Sequence, residues 1–251
     1  MKKAVIITIL LLLSAVITSC KGGKPVETAA QTGTAAATET AETAADLREP
    51  EVTYGDEWQF AALDKQILAE DEHWSVTGRG FSYKNGCLGI SGAGYFDLAN
   101  LTPIGDEENY IFEFEYSAEP GAQISAGLNL LGIDSLPATG VPGIWLVFSD
   151  TSVSVFTGEP VDIGKKDGFC KISLQVYQSS QTVKISADGE LCAKVTYEGD
   201  GETTKLHVYD ADGNDKYRVT LYAPLYAGGS IKLHSAKDCS VYIKNIAFKT
   251  F

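Results

Sequence analysis

Tyr110-Ile111-Phe112-Glu113-Phe114-Glu115-Tyr116 is the stretch on which the fold turns. Phe112, Phe114 and Tyr116 take every second place and Glu113 and Glu115 the places between. An extended chain with that order has one apolar and one charged face, whereas a helix would scatter both kinds around its circumference. The same period returns downstream. Ile124, Ala126, Leu128 and Leu130 alternate with Ser125 and Asn129, and Ile172, Leu174 and Val176 with Lys171, Ser173 and Gln175. Val183 and Ile185, then Leu191, Ala193, Val195 and Tyr197, then Leu206 and Val208, then Tyr217, Val219 and Leu221 repeat it. Asn85-Gly86, Asp188-Gly189 and Asp212-Gly213 lie between such runs, and these pairs favour the positive-φ turns of hairpins. The apolar parity changes between Ile243 and Ile246, which predicts a bulge near Asn245. About twelve hairpin-linked strands predict an all-β fold, a two-sheet antiparallel sandwich over residues 51–251. One short helix is expected near Trp58 to Glu70, where Phe60, Leu63 and Ile67 would share a face and cap an open end. No internal repeat suggests a propeller or solenoid.

Upstream the composition changes. Lys2 and Lys3 precede an apolar run from Ala4 to Val16, which has the charged start and short hydrophobic centre of an export signal and is too short to span a bilayer. Ile17-Thr18-Ser19-Cys20 follows, and it resembles the bacterial lipobox. The resemblance implies cleavage after residue 19 and a lipidated Cys20, carrying acyl chains such as palmitate. Two or more chains make an anchor stable, since each buried methylene contributes about 0.8 kcal/mol. Residues 1–19 are therefore expected to be a lipoprotein signal peptide. Residues 20–50 are expected to be the lipidated cysteine and a flexible linker rich in Thr and Ala, with no aromatic residue to seed a core. The expected location is extracytoplasmic, lipid-anchored to a cell membrane or cell surface, with the bilayer as one partner.

Charge narrows the other partners. The chain carries 33 acidic and 20 basic side chains, a formal net charge of −13. Loss of Lys2 and Lys3 with the signal would lower it further. Such a surface repels phosphate backbones, so nucleic acid is not an expected partner.

The order of features in the folded part resembles the concanavalin A-like lectin/glucanase jelly rolls. Trp74-Ser75-Val76, Gly80-Phe81, Asn85-Gly86-Cys87-Leu88, Tyr95-Phe96-Asp97-Leu98 and Tyr110 to Tyr116 are similar to their opening. Gly229-Ser230-Ile231-Lys232-Leu233 followed by Val241-Tyr242-Ile243-Lys244-Asn245-Ile246 is similar to their closing strands. The laminin G-like domains and the 3-keto-disaccharide hydrolase-like proteins share parts of this pattern. The resemblance implies a jelly roll over roughly residues 55–251 and says less about activity.

Retaining glucanases of that family carry Glu-x-Asp-x-x-Glu on one strand, since a nucleophile and an acid must flank one glycosidic bond. This chain lacks the motif. Glu113 and Glu115 come nearest, but no further acid follows at the needed place, so no catalytic residue is expected. His73, His207 and His234 have no metal-ligand spacing and read as surface positions. Asp210, Asp212, Asn214 and Asp215 crowd into one turn that offers oxygen ligands for calcium. The bidentate Glu of a calcium loop is missing there and Asp-Gly already explains the turn, so no cofactor or metal is expected. Cys87, Cys170, Cys192 and Cys239 permit three disulfide pairings in an exported domain, or free buried thiols.

Aromatic residues at the parity opposite the core carry the functional expectation. Trp145 alternates with Ile144 and Leu146, Tyr177 follows Val176, Tyr209 follows Val208, and Tyr222 follows Leu221. Rings on an outer sheet face stack on the apolar faces of sugars, and Glu113, Asn129 and Gln175 offer partners to hydroxyls. These residues point to a carbohydrate or other extended polymer as the ligand, bound without catalysis; the other reading of the same rings is that they pack under loops or line a second-layer core. The alternatives are a glycoside hydrolase-like enzyme with an unrecognised acid pair, or a laminin G-like adhesion module that docks protein on its rim.

Overall fold

The computed structural model describes the backbone of residues 57–60 and residues 73–101, 103–132, 142–164, 167–236 and 240–251. The expected signal and linker, residues 1–50, lie outside the described residues. The strands are β1 (Glu57–Phe60), β2 (Trp74–Lys84), β3 (Cys87–Asn100), β4 (Tyr110–Ala118), β5 (Ile124–Leu130), β6 (Ile144–Phe148), β7 (Ser152–Val155) and β8 (Val161–Asp162). They continue with β9 (Cys170–Tyr177), β10 (Thr182–Ala187), β11 (Glu190–Gly199), β12 (Thr204–Asp210), β13 (Asp215–Leu221), β14 (Ser230–Ala236) and β15 (Val241–Thr250). Every pairing is antiparallel, and no helix occurs among the described residues.

The strands form one curled sheet in the order β13-β12-β11-β10-β9-β4-β15-β3-β14-β5-β6-β7-β8, folded into two layers at β3. Leu88–Ile90 of β3 pair with β15, while residues 95–99 pair with β14, so the strand leaves one layer and joins the other. β2 follows it through the same corner. The corner needs glycine: a Cβ on Gly78, at φ +140°, would lie 2.3 Å from the Tyr95 carbonyl oxygen, and one on Gly80 2.6 Å from that of Ala93. No side chain fits between backbones that close.

The alternating positions read from the sequence fill the space between layers. Phe112, Phe114 and Tyr116 of β4 are fully buried, with Ile111, Glu113 and Glu115 half-buried on the other side. Phe114 meets Phe148 of the opposite layer edge-on at 5.7 Å, and Trp74 stacks on Phe112 at 5.8 Å. Burying each such side chain stabilises the fold by about 1.5–3 kcal/mol. Opposite margins of the curled sheet are tied across the gap. The Val155 N–H of β7 donates to the Tyr217 hydroxyl of β13 at 2.7 Å, and the Tyr217 ring lies over Gly158.

Local expectations hold in several places. Asn85 and Gly86 have φ of 54° and 71°, and Asp188 and Gly189 of 49° and 86°, the paired positive values of tight hairpins. The β15 bulge sits where parity predicts it, with a register shift between Lys244 and Ala247 and Asn245 at φ 48°. One expectation needs correction. Trp58 to Phe60 belong to β1, paired with β15 through Trp58↔Phe248 and Phe60↔Ile246, and not to a helix. The physical reason is the open ladder: where β3 departs, the second half of β15 would have unpaired backbone groups on that side, and an extended segment satisfies them. The rest of the expected helix, residues 61–70, lies outside the described residues.

Candidate functional site

Glu113, Gln175, Tyr177 and Tyr209 come together on the outer face of the first layer. The register runs Ile111↔Gln175 from β4 to β9, Gln175↔Lys184 to β10, Lys184↔Lys194 to β11 and Lys194↔Tyr209 to β12. All point away from the core because Leu174, Val176, Val183, Ile185, Ala193, Val195 and Val208 beside them are buried. The Lys184 ammonium lies 5.1 Å from the centre of the Tyr177 ring, and that of Lys194 lies 5.8 Å from the Tyr209 ring. These are cation–π distances. The Tyr177 hydroxyl donates to Gln175 Oε1 at 3.2 Å, and its ring meets Phe251 edge-on at 5.5 Å, which holds the ring in place. A ring, two cations and a second ring thus form a ladder across four neighbouring strands.

Beside this ladder the acids are already engaged. Glu113 pairs with Lys171 at 3.1 Å and Glu115 with Lys244 at 3.3 Å, and Asn245 Nδ2 donates to Glu115 at 2.7 Å. Lys244 also sits 4.4 Å from the centre of the Phe169 ring. By contrast, no ion pair engages Lys184 or Lys194 among the described residues, although the two face each other directly across a strand pair.

The other predicted residues lie elsewhere. Trp145 is corrected from an exposed ring to a fully buried one. It does point away from the interlayer core, but its register partner is Gly127, and the indole folds so closely over that glycine that an added Cβ would lie 2.8 Å from it. Its Nε1 has no hydrogen-bond partner among the described residues. Asn129 is also buried, because a φ of 51° breaks the alternation and turns the side chain inward. There it accepts from the Tyr110 hydroxyl at 2.8 Å and donates to Gln178 at 3.1 Å, and Gln178 accepts in turn from Tyr197 at 3.3 Å. Burial pushes the Tyr197 phenol up to about 12, so it stays protonated as the network requires. Tyr222 is 74% exposed one residue beyond β13, outside the register of the ladder.

A second charged group was not anticipated. On the outer face of the second layer, Asp97 accepts from His234 Nδ1 at 2.7 Å and pairs with the Lys232 ammonium at 3.2 Å. Lys232 is only 2% exposed. Burial alone would raise the Asp97 carboxyl, but the bond from His234 and the Lys232 and His234 charges outweigh it and hold the group below its ordinary value. Tyr95, at the next outward place on β3, is exposed with Arg79 6.0 Å from its ring centre. Sequence parity places Asp97, Lys232 and His234 outward, but only the β3–β14 register, His234↔Asp97, joins them.

The acidic turn closes on itself. Asp210 Oδ1 accepts from the Asp212 and Asn214 N–H groups at 3.1 and 2.9 Å and from the Asn214 side chain, while Asp215 pairs with Arg218 at 3.0 Å. Among the described residues no three His, Cys, Asp or Glu side chains come together as a metal site would need. Cys87 and Cys192 are buried thiols outside any disulfide, Cys170 is buried on β9, and Cys239 lies outside the described residues.

No protein-family model matches the chain, and no curated protein sequence matches it significantly. Solved structures are similar in shape. The winged bean acidic lectin, in complex with methyl-alpha-D-galactose, is 10% identical at a TM-score of 0.46, covering 78% of this chain and 98% of its own. A Parabacteroides distasonis protein provisionally described as a glycosyl hydrolase is 13% identical at 0.46, covering 68% of this chain and 90% of its own. The Emp46p carbohydrate recognition domain, in its potassium-bound form, is 8% identical at 0.49, covering 76% and 93%. At these values the similarity carries no inference about ligand or chemistry.

Proposed function

We propose that this chain is a lipid-anchored extracytoplasmic protein whose β-sandwich binds carbohydrate without cleaving it, on the outer face of the first layer. One observation carries the reading. Tyr177 and Tyr209, two rings held on rigid strands, flank a polar strip of Gln175, Lys184 and Lys194 that faces solvent. Rings of this kind offer stacking area at little entropic cost, and the amide and ammonium groups offer directional bonds to hydroxyls. Binding without catalysis is supported by the state of the nearest acids. Glu113 and Glu115 are each committed to a lysine, whereas glycoside cleavage needs two carboxyl groups flanking the bond. The anchor is proposed from Cys20 and the signal before it.

A second seat has its own support. Asp97, His234 and exposed Tyr95 join a held carboxylate, an imidazole and a ring on the outer face of the other layer. Binding to an array of oligosaccharides, followed by titration of the hits, tests the function. Two stacked rings contribute about 2 kcal/mol together, so Tyr177→Ala combined with Tyr209→Ala should weaken binding about 30-fold. Absence of any bound sugar at millimolar concentration would end the proposal. Loss on Asp97→Asn but not on the tyrosine changes would move the site to the second layer.

A further inference from the structure

We infer that the carbohydrate held on the first layer is an acidic one, an extended polymer whose carboxylate or sulfate groups sit between Lys184 and Lys194 while Tyr177 and Tyr209 stack on its sugar rings. This rests on the proposed carbohydrate binding and names the class of ligand.

An unfavourable pair of like charges lies on this face. Lys184 and Lys194 are direct cross-strand partners, so two like charges rise from one outward pair, their ammonium groups leaning apart over Tyr177 on one side and Tyr209 on the other. Such pairs weaken a sheet. Acids outnumber bases 33 to 20 in this chain, and three other cations on the same face show the ordinary remedy. Lys171 has Glu113, Lys244 has Glu115 and Arg218 has Asp215. Lys184 and Lys194 have no carboxylate among the described residues, only the faces of two tyrosines, and both are exposed. A ring face holds an ammonium without neutralising it. An anion set between the two would do so, and the flanking rings fix what else that anion carries: flat, partly apolar rings of its own.

Size and charge density favour a glycan over other polyanions. Strands lie about 4.8 Å apart, so the ladder from β9 to β12 extends roughly 14 Å across the sheet, long enough for a short run of sugars. Duplex nucleic acid carries a charge every 1.7 Å or so and would feel the net −13 of the whole molecule. A polymer with sparse charges needs only the local ammonium pair, within a Debye length of about 8 Å.

Titration of the purified full chain with an oligogalacturonate, a sulfated oligosaccharide and a neutral cello-oligosaccharide of equal length tests this. The oligogalacturonate, the sulfated sugar or both should bind at least tenfold tighter than the neutral sugar, and which of them does so identifies the anion. Added salt should erase the difference. Lys184→Gln combined with Lys194→Gln should remove the preference, so that the acidic and neutral sugars bind within about twofold of each other. Equal affinity for neutral and acidic sugars would overturn the inference while leaving carbohydrate binding in place, as would a preference that survives the double change. Binding of a single-stranded oligonucleotide or of phosphatidylserine vesicles as tight as that of the acidic sugars would also overturn it. Binding of no sugar at all would overturn both readings.

Discussion

Replacing Asp97 by Asn separates the two halves of the ion pair on the second layer. Lys232 is 2% exposed and its ammonium lies 3.2 Å from the Asp97 carboxylate, so the variant keeps a buried cation and removes its counter-charge. Removing one partner of such a pair costs about 3 kcal/mol, and each 1 kcal/mol shifts the melting temperature of a domain this size by about 3 °C, so a fall of about 10 °C is expected. Lys232→Met removes the buried cation instead. It leaves Asp97, which is 17% exposed, with His234 and water, so it should cost about 1 kcal/mol or less. The pH dependence has a definite sign. The folded Asp97 carboxyl lies below its ordinary 3.8, so the unfolded chain takes up this proton first as pH falls. The contribution is fully present above about pH 4 and is lost progressively below it as the folded group protonates. Thermal unfolding followed by circular dichroism between pH 2.5 and 7 reads both effects. The Asp97→Asn deficit should be largest near neutrality and should shrink below pH 4. A deficit equal to that of Lys232→Met, or constant with pH, would refute the reasoning.

Tyr217→Phe leaves the Val155 N–H without its acceptor where β13 meets β7, and should cost about 1–2 kcal/mol in denaturant unfolding. Gly78→Ala places a Cβ against the Tyr95 carbonyl at a φ that L-residues avoid, and should destabilise the corner by more than 2 kcal/mol or reduce soluble yield outright. Lys184→Glu replaces the like-charge pair with Lys194 by an opposite one and should stabilise the protein by about 0.5 kcal/mol in the same assay while weakening any acidic ligand. Cys20→Ala should release the protein from the membrane fraction, a result read by partition of the expressed chain between detergent and water.

Parity made most of the layers legible. Each buried residue of β4 and β9 stands where alternation places it, and the change of phase before Ile246 located the bulge at Asn245. What alternation does not hold is pairing. Nothing near β3 reveals that its first half meets β15 and its second β14, because both partners lie far down the chain. The same limit hid Asp97, Lys232 and His234, each unremarkable until the register joined them, and the opposition of Lys184 to Lys194. Parity also says which way a side chain points and not what covers it. Trp145 points outward yet is buried over Gly127, and Asn129 lies at a place where one positive φ reverses the alternation.

The most direct test of carbohydrate binding on the first layer is an NMR titration of the isotope-labelled protein with a sugar that binds it. Binding on this face should give shift changes concentrated at Gln175, Tyr177, Lys184, Lys194 and Tyr209, on four adjacent strands. Changes centred on Tyr95, Asp97 and His234, with those five positions still, would contradict it.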